Sequence, residues 1–281
     1  MNSWRAIHDF FAVPASAQPL MVFALCVNLY SLSLIGVTLA TDWGLLIDGK
    51  FSLRKFYTLM GWAPLGFLGL VVVYDIRFLW LFLAAGVLGV VGELIVSVAW
   101  RAFFAEPIWT YSFGARLRGY TSELNFLPWA VGAFLFYCTA GLLQQAAPRG
   151  LPVMSLREPL VLCVLGGLAG LIVWPLAFLR RAERGRFGVA RFAVFCAPIL
   201  GVGAALSVVL GVEYAGLMLA FSLVGFATEY LYGRIMSAFF EVGLWEYNHL
   251  KIDGGHSSFV TFPLWALGGL YFHFIAGWVG L

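Results

Sequence analysis

The stretch GVVGELIVSVAWRAFFAEPIWTY, residues 89–111, returns in outline as GFATEYLYGRIMSAFFEVGLWEY, residues 225–247. One constant offset, that from Glu93 to Glu229, pairs without a gap Gly89 with Gly225, Ala102 with Ala238, Phe103-Phe104 with Phe239-Phe240, Trp109 with Trp245 and Tyr111 with Tyr247. Similar residues at a constant offset are the mark of a duplicated fold. An apolar-biased composition supplies stray Gly and Phe coincidences, but hardly the Glu, the Trp and the Tyr in one register.

Working outward, the same register joins Gly119 to Gly255, Ser122 to Ser258, Phe126 to Phe262, Trp129-Ala130 to Trp265-Ala266, Gly132 to Gly268, Phe136 to Phe272 and Ala140-Gly141 to Ala276-Gly277. The chain around these matches is 62% hydrophobic and only 11% charged, with a mean hydropathy of +0.91. About a quarter of the residues of a soluble domain are charged, so this is a membrane composition.

Windows of about 20 apolar residues, matched to a bilayer core of roughly 30 Å, predict spans at 20–41, 56–74, 78–103, 126–145, 159–179, 192–211, 214–240 and 259–281. The fold expected is therefore all-α and polytopic, with about eight transmembrane helices arranged as two parallel four-helix repeats. The divisions are an interfacial N-terminal segment (1–19), a first membrane repeat (20–145) and a second (146–281). Four spans per half is an even number, so both halves enter the bilayer from one side and are related by an axis along its normal.

The opening MNSWRAIHDFF is too polar for the apolar core of a signal peptide; Trp4, Ile7, Phe10 and Phe11 instead suit a short helix lying at the interface. Cys26, Cys138, Cys163 and Cys196 fall singly in predicted spans, with no C-x-x-C spacing, and read as small core residues. Lys50, Arg54, Lys55, Arg116, Arg118, Arg180, Arg181, Arg184, Arg186, Arg191 and Lys251 fall on one side, against Arg5, Arg77, Arg149 and Arg157 on the other. This bias predicts cytoplasmic odd-numbered loops and both termini on the opposite face. The run LRRAERGR (179–186) reads as a juxtamembrane segment drawn to anionic lipid, and a net charge of +3 implies no nucleic-acid partner.

Glu93 and Glu229 are carboxylates inside apolar helices, and an ionisable group at that depth is a functional candidate by default. The structural alternative is that each is simply hydrogen-bonded to a neighbouring helix. Gly89, Glu93 and Ser97, like Gly225, Glu229 and Gly233, follow at intervals of four, and small-residue stripes of this kind let membrane helices approach closely. The third and seventh helices are thus expected to cross near the axis with both carboxylates inward, close enough to share a proton. Arg101 lies eight residues after Glu93, within reach as a counter-ion or snorkelling to headgroups.

After each Glu helix comes a loop of about 20 residues, longer than most helix connections. Trp109, Tyr111, Trp245 and Tyr247 on these loops are either interfacial anchors or, if the loops fold back over the glutamates, the walls of a vestibule. There they would take a lipid tail, an amphipathic molecule or a cation, with Trp129 and Trp265 further candidates for substrate contact. His249, Asp253 and His256 have spacings a metal uses, but their first-half counterparts are Phe113, Leu117 and Tyr120, which argues against a metal. No nucleotide-binding, hydrolase-elbow, zinc-protease or kinase motif occurs, and no cofactor is expected.

Glu229, then Trp245-Glu246-Tyr247, a Gly-rich turn and Phe262-Pro263-Leu264-Trp265, with Gly119-Tyr120-Thr121-Ser122 in the first half, resemble the ABC-transporter type IV family, also called CmpB-like. The likeness covers roughly residues 85–141 and 221–277. It implies a permease-like integral membrane protein, served by a separate ATPase or other membrane subunits.

Three functions follow as expectations. The first is a permease-like protein that moves or binds a small amphipathic, lipid-like or cationic solute at the paired glutamates. The second is an intramembrane lipid- or isoprenoid-modifying enzyme with Glu93 and Glu229 as acid and base. The third is an accessory subunit of a membrane complex.

Overall fold

The computed structural model describes residues 15–41, 48–146, 186–209 and 211–281. The predicted fifth span, Cys163, most of the 179–186 run and the interfacial aromatics before residue 15 lie outside the described residues. Among the described residues, six helices are long and apolar enough to cross a membrane, and the chain is mostly helical.

In chain order the helices are α1 (Gln18–Thr41), α2 (Leu53–Leu59), α3 (Trp62–Val73), α4 (Arg77–Phe103), α5 (Phe126–Ala146), α6 (Val189–Val209), α7 (Glu213–Phe239) and α8 (Thr261–Trp278). With 27 residues each, α4 and α7 run about 40 Å at 1.5 Å per residue, more than the hydrocarbon thickness. The predicted second span is broken into α2 and α3 at Met60-Gly61. There Tyr30 of α1 donates to the Thr58 carbonyl (2.5 Å), and its ring lies where a Gly61 side chain would be.

Between the long helices are three-residue and two-residue strands: β1 (Trp109–Tyr111), β2 (Ala115–Arg116), β3 (Thr121–Ser122), β4 (Trp245–Tyr247), β5 (Lys251–Ile252) and β6 (Ser257–Ser258). Each of α4/α7, β1/β4, β2/β5 and β3/β6 begins and ends at the offset that separates Glu93 from Glu229. Gly119 and Gly255 both take positive φ (80° and 85°), a left-handed turn open to glycine, and deliver the chain into β3 and β6.

Strands β1 and β4 pair antiparallel: Trp109 with Tyr247, Thr110 with Glu246 and Tyr111 with Trp245. The ribbon is extended by the Ser112 amide to the Leu244 carbonyl (2.9 Å) and the Asn248 amide to the Ile108 carbonyl (3.1 Å). These contacts are mirror mates about the Thr110–Glu246 pair. Side chains alternate along a strand, so Trp109, Tyr111, Trp245 and Tyr247 share the inner face.

The crossing of the third and seventh predicted spans is corrected here. The two glutamate helices make no extensive contact with each other; α4 lies against α5, α7 against α8, and α5 meets α7 and α8 across the centre. The small-residue stripe receives an indole instead of a helix: a side chain on Gly89 would strike Trp129, and one on Gly225 would strike Trp265.

A second set of contacts ties α2 to the end of α7. The C-terminal carbonyls of a helix have no partners within it and carry partial negative charge. Lys55, fully buried, donates to the Phe239 carbonyl (2.7 Å) and to Asp48 (3.1 Å), with its ammonium 5.1 Å from the Phe240 ring centre. At the matching place, Phe195 of α6 packs on Trp100 and Phe103 near the end of α4 (5.2 and 5.3 Å).

Candidate functional site

Glu93, about two-thirds along α4, is buried at 4% exposure, and its hydrogen bonds come from the segment that follows the loop. Thr121 Oγ1 donates to its Oε2 (2.8 Å), Asn125 Nδ2 reaches both oxygens (2.9 and 3.0 Å) and Trp129 Nε1 donates to Oε2 (3.2 Å). Asn125 Nδ2 also donates to the Tyr111 hydroxyl on the ribbon (2.9 Å).

Glu229 on α7 is held by the matching positions. Ser257 Oγ (2.7 Å), Thr261 Oγ1 (3.2 Å) and Trp265 Nε1 (3.3 Å) donate to Oε2, and the Tyr247 hydroxyl donates to Oε1. Thr121/Ser257, Asn125/Thr261, Trp129/Trp265 and Tyr111/Tyr247 are each separated by the same offset as the two glutamates. Where lipid offers no hydrogen bonds, such donor sets are what make a buried carboxylate tolerable. Burial, and after it the Glu229 carboxylate, raises the Tyr247 hydroxyl well above its ordinary 10.

Both loops therefore fold back over the glutamates, as one reading of their length and aromatics expects. The carboxylates come to neighbouring places, but no hydrogen bond joins them among the described residues, which corrects the shared proton. The Trp129 and Trp265 rings, 5.4 Å apart, each hold their own carboxylate, and Phe272 lies 5.6 Å from Trp129.

The other candidates are placed as follows. Trp109 packs edge-on against Tyr247 (5.9 Å), and Trp245 stacks on Tyr232 of α7 (5.5 Å). The indole N–H groups of both, at matched positions, are buried without a hydrogen-bond partner among the described residues. Arg101 is no counter-ion for Glu93; its guanidinium lies 4.5 Å over the Tyr120 ring. Ser97, at the end of the small stripe, donates to the Tyr120 carbonyl (2.7 Å) and fastens the loop to α4. In α7 the counterpart Gly233 lets His256 approach just as closely.

His249, Asp253 and His256 do not converge. His249 stacks on Phe187 (4.6 Å), Asp253 meets Arg234 (3.1 Å) and Tyr230 (2.9 Å), and His256 lies against Gly233. Burial lowers the pKa of His249 from its ordinary 6.5, against a smaller upward pull from Glu106.

Sequence reasoning missed Thr121, Asn125, Ser257 and Thr261 as glutamate partners. The signal was present only in part: 121, 125 and 129, like 257, 261 and 265, follow at intervals of four, but the first of each set lies in a strand before the helix begins. Comparison with protein-family models, curated proteins and solved structures found no match to this chain.

Proposed function

We propose that the chain is a permease-like integral membrane protein of two parallel four-helix repeats. In this reading it moves or binds a small amphipathic, lipid-like or cationic solute at Glu93 and Glu229. The observation that carries it is the pair of carboxylates held at matched depth by matched donors, each under the ribbon that both halves build. Intramembrane carboxylates commonly carry protons or meet the charged end of a solute.

Lys55 of α2 meets the end of α7, and the loops holding Trp109 and Trp245 pair; in this reading that end is cytoplasmic and the termini lie opposite. The likeness to the ABC-transporter type IV family adds a separate ATPase, or other membrane subunits, as the source of energy. The aromatic inner face of the ribbon then gates the cytoplasmic mouth, with cation–π attraction and stacking as its means of selection.

The test uses purified protein in liposomes loaded with a pH-sensitive dye, under a potassium diffusion potential. Wild type is expected to admit protons faster than empty liposomes, and Glu93→Gln and Glu229→Gln to lose most of that flux. Wild-type flux equal to that of empty liposomes, or undiminished in both variants, overturns the proposal.

A further inference from the structure

The two glutamate sites match in position but differ at one pair of residues, and that difference changes what each can do with a proton. Asn125 is long enough to reach both oxygens of Glu93 and still donate to Tyr111, so the amide stands between the carboxylate and the ribbon hydroxyl. Thr261, at the same place, is shorter: of the two carboxylate oxygens it meets only Oε2 (3.2 Å), and its hydroxyl also bonds the Ser258 carbonyl (2.8 Å). Oε1 of Glu229 is left to the Tyr247 hydroxyl directly.

A hydroxyl both donates and accepts, so it can take a proton on one side while releasing its own on the other. An amide N–H₂ only donates and does not release its hydrogens in that way. Among the described residues no Lys, Arg or His hydrogen-bonds either carboxylate, so no fixed cation decides the matter for them.

We infer that the two sites have different tasks: Glu229 exchanges its proton readily through the Tyr247 hydroxyl, whereas Glu93, gripped by the Asn125 amide, exchanges its proton slowly. When Oε1 is protonated and the ribbon lifts to admit water, the tyrosine hydroxyl turns its hydrogen to the water and accepts from Oε1; the carboxyl proton passes to the tyrosine oxygen as the tyrosine's own hydrogen passes to the water, leaving carboxylate and hydronium, and the reverse step returns a solvent proton. Only O–H bonds form and break, and the tyrosine ends as it began. The inference deepens the proposed transport reading and rests on it for its purpose, though not for its chemistry.

The experiment is infrared difference spectroscopy of the whole protein in liposomes during a change to deuterated buffer. The readout is the exchange rate of each carboxyl C=O band, and Glu93→Gln and Glu229→Gln assign the bands. The Glu229 band is expected to exchange first. Tyr247→Phe should slow it by roughly tenfold or more, the scale on which a positioned acid–base group acts. Tyr111→Phe should leave the Glu93 band within about twofold, since no relay step passes through that hydroxyl.

The exchanged pair supplies the second arm. Asn125→Thr should make Glu93 exchange quickly, and Thr261→Asn should slow Glu229, so the result survives if Tyr247→Phe fails to fold. Equal exchange of both bands in wild type overturns the inference, as does a folded Asn125→Thr that leaves Glu93 slow. Unequal exchange without proton flux removes the transport reading alone; flux with equal exchange removes only this asymmetry.

Discussion

Gly225→Ala adds one methyl group to α7 at the point where Trp265 crosses it. The new carbon would lie 2.5 Å from Trp265 Cδ2 and 2.6 Å from Cγ, so the indole has to move. It has little room: Nε1 is bonded to Glu229, Trp129 lies 5.4 Å away and Phe136 5.8 Å away. Overpacking of this kind costs about 1–3 kcal/mol, and losing the indole–carboxylate bond about 1–3 kcal/mol more, so the expected loss is roughly 2–6 kcal/mol.

Gly201→Ala on α6 is the control, because no neighbouring atom lies within 4 Å of its added methyl. There the better helix propensity of alanine should leave stability unchanged or raised by up to about 1 kcal/mol. Thermal unfolding can be followed with a thiol-reactive dye that reports exposure of the buried Cys138 and Cys196. At about 2–4 °C per kcal/mol, Gly225→Ala should melt roughly 4–24 °C below wild type. Equal melting of the two alanine variants would refute the claim that the stripe exists to admit the tryptophans.

Two further predictions use the same melting assay. His249 is held below its ordinary 6.5, so its contribution to stability is complete above that pH and is lost as the pH falls towards its folded value. His249→Phe, the residue found at the matched position 113, should therefore reduce the drop in melting temperature between neutral and mildly acidic buffer; an unchanged drop assigns it to other groups. Lys55→Met keeps the aliphatic bulk but strands the Phe239 carbonyl. Asp48 is 42% exposed and can return to water, so the cost should be about 1–3 kcal/mol, less than that of stranding a buried charge, and a loss within a few tenths contradicts the capping role.

The long helices are legible because hydropathy needs only neighbours in sequence. The predicted spans 78–103 and 214–240 correspond to Arg77–Phe103 and Glu213–Phe239. The break at Gly61 is not legible, since it depends on Tyr30 of another helix. Nor is the ribbon, because so short a strand cannot show a period of two and its partner lies in the other half of the chain.

The site is legible only in part, for a similar reason. An acidic residue in an apolar run announces itself, but Thr121, Asn125, Ser257 and Thr261 lie where polar residues are ordinary. Their meaning appears only once the loop has folded back. Lys55 reads in sequence as one of the cations of a loop and is instead buried, because the end of α7 presents a carbonyl that needs a donor.

The ribbon makes the two sites one mechanical unit. Each carboxylate takes its donors from its own half, yet the tyrosine above each belongs to a strand paired with the opposite half. Side chains alternate faces along a strand, so a slip of one residue would carry Tyr111 off Asn125 and Tyr247 off Glu229 together. The short strands have little pairing energy of their own, and their register is set by those tyrosines and by Trp109 and Trp245 packed beneath. Lifting the ribbon from one glutamate therefore disturbs the strand that covers the other, because the two strands share one set of backbone hydrogen bonds.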